Sequence, residues 1–198
     1  GGKAKIAVEG QQVSYGVYLE NSSYVHISNL EISNQAAQRQ LSVGLAVIAS
    51  SGDLVSGIHL DNLYVHDVNG TLTEKVFPNG GIYFVVTAGG DNSRFDDILI
   101  ENCSVKRVSR TGISVGYTMK NTPRWDNWGG RIPQEVLDAT GHTNVVIRNN
   151  YVEDAGGDAI VPMYCIRPLV EYNISNGASK NTETNPGAMY NAAVWPWR

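Results

Sequence analysis

The sequence predicts an all-β fold, a right-handed parallel β-helix (solenoid) of about six rungs, as a single domain over residues 1–198. Three observations predict it: the composition, a repeated pattern of strand and bend, and loops of variable length between constant strands. The chain has 22 Val and 14 Ile against 11 Leu, with 21 Gly and 18 Asn, and only 17% of its residues are charged. This is a composition of strands and turns, and it argues against a helical bundle and against disorder.

The first repeated element is apolar-x-apolar-x-Asn-x-x-apolar. Alternation followed by a two-residue skip predicts a strand, a tight bend and the return of an apolar side chain to the interior. We expect the asparagine to be structural, because its side chain bonds backbone groups across a turn and tolerates a left-handed conformation. A degenerate fifth copy surrounds Val170–Asn173. The four clear copies are Val25–Ile32, Ile58–Val65, Ile98–Val105 and Val145–Val152.

The second element is a short strand that usually begins with glycine. A sixth copy, Ala193–Trp197, aligns with Ala159–Met163 and breaks off at Arg198, so we expect a truncated coil with an incomplete active site. Its open terminal rung would favour self-association. The alignment also predicts that Asp158 continues an outward-facing column of glycines. The five full copies are Gly16–Leu19, Gly44–Val47, Gly81–Phe84, Gly112–Val115 and Asp158–Val161.

The connections vary in length after the Gly strands, which predicts insertions at a single corner of the coil. The longest is the insertion loop at 116–144. Loops of this length are commonly functional. Its aromatic and charged side chains are expected to bind substrate, because indoles stack on sugar rings and cations bind glycan carboxylates or hydroxyls. The alternative is that the tryptophans only pin the loop onto the coil. The candidates are Trp125, Trp128, Arg124, Lys120, Arg131 and His142.

Stacking of rungs predicts columns of outward side chains. In one of them Arg107 is expected to lie between carboxylates, and His26 and His59 share another with no third metal ligand at their level. Cys103 and Cys165 are predicted to be unpaired buried thiols. The two charged columns are Ser28, Asp61, Glu101, Arg148, Glu171 and Asn34, Asp67, Arg107, Asp154.

Asp154 and Asp158 flank a Gly-Gly turn and are the candidate catalytic residues. Glycoside hydrolysis uses such a pair, one carboxyl as acid and the other as base or nucleophile, ~5–9.5 Å apart. A Ca²⁺-assisted lyase would use the same oxygens as ligands. The alternative is a solvated turn with an Asx-type hydrogen bond.

Charge and hydropathy exclude other classes of function. The net charge of −4 gives no basic surface for nucleic acid, and no apolar run is long enough to span a membrane. We therefore expect no nucleic-acid and no membrane partner.

The rung Asn144–Pro162, with Pro168–Asn173 and Ala193–Trp197, resembles secreted bacterial parallel β-helix proteins of the pectate-lyase-like superfamily. More narrowly it is similar to β-helix glycoside hydrolases of the group that includes α-L-fucosidases and xylanases. The resemblance implies a secreted or periplasmic protein that acts on a polysaccharide or oligosaccharide. We expect no cofactor for hydrolysis. A polysaccharide lyase, with Ca²⁺, and a non-catalytic glycan-binding or adhesin segment remain the alternatives.

Overall fold

The computed structural model describes residues 2–72, 78–87, 92–118, 133–180 and 192–196, with Tyr117 and Thr118 described by their backbone alone. The chain winds through three sheets, A, B and C, and the strands pair in parallel from rung to rung. The predicted parallel β-helix is therefore confirmed. Sheet A contains β1 (Ala4–Glu9), β4 (Leu30–Gln35), β7 (Tyr64–Val68), β10 (Ser104–Val108), β13 (Tyr151–Ala155) and β16 (Ile174–Asn176). Sheet B contains β2 (Tyr15–Glu20), β5 (Val43–Ala49), β8 (Gly80–Val86), β11 (Thr111–Thr118) and β14 (Ile160–Pro162). Sheet C contains β3 (Val25–Ser28), β6 (Leu54–Asp61), β9 (Arg94–Glu101), β12 (Thr143–Arg148) and β15 (Leu169–Glu171).

The core fills the inside of the coil with the side chains that the alternation predicts. Val25 and Ile27 are half-buried at the first rung and pack against this core. Between neighbouring rungs, Phe84 and Phe95 meet edge to face with ring centroids 5.4 Å apart. The predicted inward residues of the later rungs are fully buried: Ile58, Leu60, Ile98, Ile100, Val145 and Ile147.

The corner from sheet C to sheet A repeats with little change. The asparagine of each clear copy adopts a left-handed conformation, with φ between +51° and +57°, so its structural role is confirmed. In the fifth copy Tyr172 takes this position at φ +54°. Along the axis, Asn62 Nδ2 donates a hydrogen bond to Asn29 Oδ1 at 2.7 Å. The four asparagines are Asn29, Asn62, Asn102 and Asn149.

A second amide ladder lies one residue beyond this bend, in the last rungs. Asn150 is 1% exposed, and its Oδ1 accepts the Cys103 N–H at 2.9 Å. Its Nδ2 donates to Ile100 O at 3.0 Å and to Asn173 Oδ1 at 3.0 Å. One side chain thus joins three rungs and satisfies backbone groups that would otherwise be buried without partners.

Loops of variable length occur at two corners, so the prediction of a single variable corner was wrong. Residues 36–42 and 69–79 connect strands of sheet A to sheet B, and residues 87–93 and 119–142 connect sheet B to sheet C. The 116–144 insertion also ends in a helix, α1 (Gln134–Thr140), which the sequence analysis did not predict. The variable loops therefore border sheet B on both sides.

The glycine column faces the interior, which corrects the prediction for Asp158. A Cβ on Gly112 would lie 2.6 Å from Val152 Cγ1, a core methyl of sheet A. Ile113 pairs with Ile160, so Gly112 lies beside Ala159. Asp158 is displaced by one position, beside Thr111, because the alignment was off by one residue.

The second outward column is also changed in one place. A register shift after Ser33 pairs Asn34 with Val68 instead of Asp67. Asn34 is consequently buried, and its Nδ2 donates to Val43 O at 3.1 Å. The rest of the column is present, and Arg107 forms a bidentate pair with Asp67, with Nε–Oδ1 and Nη2–Oδ2 distances of 2.7 and 2.8 Å.

Both thiols are free, as predicted. Cys103 is buried as predicted, and burial raises its pKa to about 12. Cys165 is only half-buried, so the prediction that it is buried holds in part. Among the described residues no helix is long and apolar enough to cross a membrane.

Candidate active site

The outer face of sheet B is largely buried, unlike the outer faces of sheets A and C. Alternation points Ala46, Tyr83 and Val161 away from the core, yet each is at most 5% exposed. They belong to a second apolar cluster that also contains Leu137 of α1, with Trp195 packed against it. The long insertion and the last described segment thus cover part of this face.

Asp158 lies at the edge of this face and is 5% exposed. Its Oδ1 accepts the backbone N–H of Ala192 at 2.6 Å, and Ala192 begins the next strand-like segment, in which Val194 bridges Ile160. The predicted alignment of the sixth copy is therefore confirmed. The prediction that Asp158 lies at the surface was wrong, because the segment at 192–196 lies over it.

Two further polar groups are buried close to Asp158. Arg110 is 3% exposed, and its carbonyl accepts the Gly157 N–H at 2.9 Å. Tyr83 donates its hydroxyl to Asn79 O at 3.0 Å, and burial raises its pKa to about 12. The charges of Arg110 and Asp158 act on that phenol in opposite directions. We call Tyr83, Arg110 and Asp158 the buried polar cluster; a carboxyl, a cation and a phenol shielded from water can position and transfer protons.

Asp154 lies in a different environment. Asp154 occupies an outward position near the end of β13, where its φ is +52°, and its side chain is 47% exposed. Lys180 Nζ is 3.2 Å from its Oδ1, and Lys180 N–H donates to Ala155 O at 3.1 Å. The two predicted catalytic carboxylates therefore differ sharply in their contact with solvent.

Of the six substrate-binding candidates that the sequence places in the insertion, the structure describes only one. Trp125, Trp128, Arg124, Lys120 and Arg131 lie outside the described residues.

His142, by contrast, is described, and the prediction that it binds substrate is corrected. It is 0% exposed, its Nδ1 accepts the Phe95 N–H at 3.0 Å, and its ring lies 5.2 Å from the Phe95 ring. It serves the core in this position.

A cavity of about 280 Å³ opens on the outer face of sheet B at the first rungs. Tyr15 and Tyr18 line it with ring centroids 5.0 Å apart, and they are 38% and 47% exposed. Tyr18 Oη and Ser50 Oγ donate to Glu20 at 2.8 and 2.5 Å, which lowers the pKa of this carboxyl. Burial, followed by the bond to Glu20, raises the pKa of Tyr18 to about 12. The sequence did not lead us to this cavity, although the i, i+2 spacing of Tyr18 and Glu20 places both side chains on one face of a strand.

A third group of polar side chains lies on the outer face of sheet C. His26 and His59 stack with centroids 4.3 Å apart, as their common column predicts. The expectation that no third ligand lies at their level was wrong, because one donor atom from each of His59, Asp61 and Glu101 lies within 4.8 Å of the others. Among the described residues this is the one group that could hold a metal ion.

Comparison with known proteins gives closely related sequences and structures. A curated relative, a lacto-N-biosidase from Bifidobacterium longum subsp. longum, is 39% identical over 233 aligned positions, covering 94% of this chain and 15% of the relative. The solved structure of a GH136 lacto-N-biosidase from Eubacterium ramulus matches with a TM-score of 0.79 and 35% identity as the selenomethionine derivative, and with 0.79 and 34% as the native protein. Each match covers 93% of this chain and 33% of the solved chain. This chain therefore spans a third or less of the length of these relatives.

A family model describing a right-handed beta helix region matches residues 6–182. The match covers every strand from β2 to β16 and most of β1, and it agrees with the parallel pairing of the three sheets. The chain belongs to the right-handed beta helix family.

Proposed function

We propose that the protein carrying this chain is a glycoside hydrolase that acts on oligosaccharides containing lacto-N-biose, and that the outer face of sheet B is its substrate face. The observation that carries the proposal is the 39% identity to a lacto-N-biosidase across 94% of this chain. The loops at both ends of sheet B, the buried polar cluster and the open cavity support the choice of face.

Asp158 and Asp154 are the proposed acid and base. Asp154 is the next-to-last residue of β13 in sheet A, beside the corner that leads to Asp158 and sheet B, so the proposed substrate face includes this corner. Asp158 is 5% exposed, whereas the side chain of Asp154 is 47% exposed, and glycosidases divide the two roles between carboxyl groups in such unlike environments. Asp158 would protonate the glycosidic oxygen as its bond to the anomeric carbon breaks. Asp154 would attack that carbon directly or take a proton from the attacking water.

Sugar binding is assigned to the cavity and to the insertion. The half-exposed rings of Tyr15 and Tyr18 offer faces for stacking, and Glu20 can accept hydrogen bonds from sugar hydroxyls. Because Leu137 of α1 packs on sheet B, the insertion ends against this same face. Its Trp125, Trp128, Arg124, Lys120 and Arg131 are proposed to contact the substrate there.

The test is turnover of the p-nitrophenyl glycoside of lacto-N-biose by the full-length protein. Asp158→Asn keeps an oxygen for the Ala192 N–H but cannot donate the proton, so kcat should fall by about 10²–10⁴-fold. The control is Glu31→Gln, which removes a carboxylate near the start of β4, away from the column that contains Asp154, and should leave kcat unchanged. Wild-type kcat in Asp158→Asn would remove this residue from the mechanism.

The same assay separates the other functions. Binding of the oligosaccharide by the wild-type protein without turnover would support a glycan-binding segment. Ca²⁺-dependent formation of an unsaturated product, detected by its ultraviolet absorbance, would support a lyase. We further propose that the protein is secreted or periplasmic and needs no cofactor for hydrolysis; detection outside the cytoplasm and chelator-resistant activity are the checks.

A further inference from the structure

We propose that the outer face of sheet C binds a divalent transition-metal ion, such as Zn²⁺, through His59, Asp61 and Glu101. This site is separate from the proposed substrate face and does not depend on the proposed function. The spacing of the three side chains, their orientation by neighbouring residues and their access to solvent support the proposal.

Two adjacent strands bring the three side chains to one face. His59 and Asp61 lie two residues apart on β6, so both point outward from the same face. Asp61 pairs directly with Glu101 on β9. The three donor atoms lie within 4.8 Å of one another. A β-sheet holds such positions rigidly, because each residue is fixed by backbone hydrogen bonds on both sides.

The closest pair of donors is already at a separation suited to a common ion. His59 Nε2 and Glu101 Oε1 are 3.0 Å apart. Ligands bound to zinc at about 2.0–2.2 Å in a tetrahedral arrangement lie roughly 3.4 Å from each other. A small outward rotation of either side chain would therefore admit an ion between them, in place of their direct hydrogen bond.

Neighbouring side chains orient each ligand. Arg148 Nε donates to the other oxygen of Glu101 at 2.8 Å, and Asn102 Nδ2 donates to Asp61 Oδ1 at 2.8 Å. His26 stacks on the His59 ring at an interplanar angle of 4°. Such outer partners fix ligand orientation and strengthen metal binding.

The donor set selects the class of ion. One imidazole and two carboxylates match Zn²⁺ and similar transition metals, whereas Ca²⁺ takes six to eight oxygen ligands. The His59 and Glu101 side chains are 33% and 15% exposed, so an ion can enter and water can complete its coordination. Arg148 adds a positive charge beside Glu101, which limits the affinity but leaves two carboxylates to one cation at the site.

His66 provides a matched control on the same molecule. It also contacts two carboxylates, but through different ring nitrogens: Nδ1 is 2.6 Å from Asp67 and Nε2 is 3.1 Å from Glu31. One ion cannot take the place of both contacts, and no donor group of three forms around His66 in the described part of the chain.

The experiment is titration of the metal-free protein with Co²⁺, followed by its visible spectrum, and competition with Zn²⁺ measured by calorimetry. Wild type and His66→Ala should each bind one equivalent of Co²⁺ and develop the absorption of a low-coordinate site. His59→Ala and Asp61→Asn should each lose about tenfold or more in affinity, since each removes a ligand whose loss exceeds that of an outer partner. Circular dichroism confirms that each variant is folded.

Three results would overturn the proposal: no stoichiometric binding by wild type, equal affinity in His59→Ala, or loss of binding in His66→Ala alone. The first would leave His59 and Glu101 as a simple ion pair. Because the readout is a metal spectrum, it is independent of glycosidase activity, and failure of one proposal does not entail failure of the other.

Discussion

The corner between sheets C and A is built differently from the two corners that border sheet B. The first closes each described rung with one or two residues, and the first of these always has a left-handed backbone. The other two range from the pair 109–110 to the insertion at 119–142. The constant corner fixes how rungs stack, and the variable corners place loops around one outer face. Under the proposed function, the constant corner serves stability and the variable corners serve substrate recognition.

The outer faces show the same division. On sheet A, Lys106 pairs with Glu153 at 2.9 Å and Arg107 with Asp67 at 2.7 Å, all partly exposed. Such pairs contribute about 0–1 kcal/mol each. On sheet B the outward side chains of the later rungs, such as Tyr83 and Val161, are buried, and so is Asp158 at the edge of this face. A carboxyl group is costly to bury, so Asp158 is a candidate for function.

The largest effect is expected for a side chain added in the glycine column, where sheet B lies against core side chains of sheet A. Gly112→Val would bring a Cβ to 2.6 Å from Val152 Cγ1 and 2.7 Å from Ala159 O, so the free energy of unfolding should fall by about 3 kcal/mol or more. Urea denaturation measures this. Gly2→Ala, which meets no atom within 4 Å, is the control, and an unchanged midpoint for Gly112→Val would contradict the register described for the glycine column.

The constant corner is tested by Asn150→Ala. Removing this amide leaves the Cys103 N–H and Ile100 carbonyl buried without their partner, so we expect a loss of about 2 kcal/mol in unfolding free energy. Asn176→Ala at the exposed edge should cost little. Equal losses for the two variants would show that the constant corner does not carry special stability.

The variable side is tested by Tyr18→Ala, which removes a stacking face from the cavity on sheet B. We expect KM for a lacto-N-biose-containing oligosaccharide long enough to reach from Asp158 to the cavity, four rungs or ~19 Å away, to rise about fivefold, with kcat nearly unchanged, since an aromatic contact is worth about 1 kcal/mol. Tyr172→Ala is the matched control, because Tyr172 is 79% exposed but lies at the constant corner. An equal rise in KM for Tyr172→Ala would break the division between the two sides.

The smallest effect is expected on the outer face of sheet A. The Arg107 hydrogen bonds hold the pKa of Asp67 at about 2, below its ordinary 3.8. A lowered carboxyl pKa stabilises the fold above the ordinary value, and this contribution disappears as pH falls through the folded value. Wild type should therefore exceed Asp67→Asn by about 0.5 kcal/mol near neutral pH, after allowance for solvent screening, and the difference should vanish towards pH ~2. A difference that stays constant with pH would contradict the pairing.

The sequence predicted the rungs well because alternation and the repeated asparagine are local signals. Ile58 and Leu60 are buried and Asn62 has a left-handed backbone, as the pattern apolar-x-apolar-x-Asn predicts within five residues. Val194 also bridges Ile160 at the predicted alignment.

What the sequence could not give is the direction of residues at corners. The alignment of Asp158 with the glycine column was off by one residue, since Ile113 pairs with Ile160. Asn34 was placed beside Asp67, although a register shift after Ser33 pairs it with Val68, and period-two counting does not detect such an irregularity. The burial of Asp158 depends on Ala192, which is distant in sequence. The sequence placed Asp61 beside Glu101 in one column and His59 in another, and only the structure shows that the His59 ring reaches Glu101, with Nε2 and Oε1 3.0 Å apart.

The central claim is that the outer face of sheet B is the substrate face. A crystal structure of the full-length protein with lacto-N-biose bound tests it most directly. We expect sugar density over sheet B. It should lie between the A-to-B connections at 36–42 and 69–79 and the B-to-C connections at 87–93 and 119–142. Specific density on the outer face of sheet A or sheet C, with sheet B unoccupied, would contradict it.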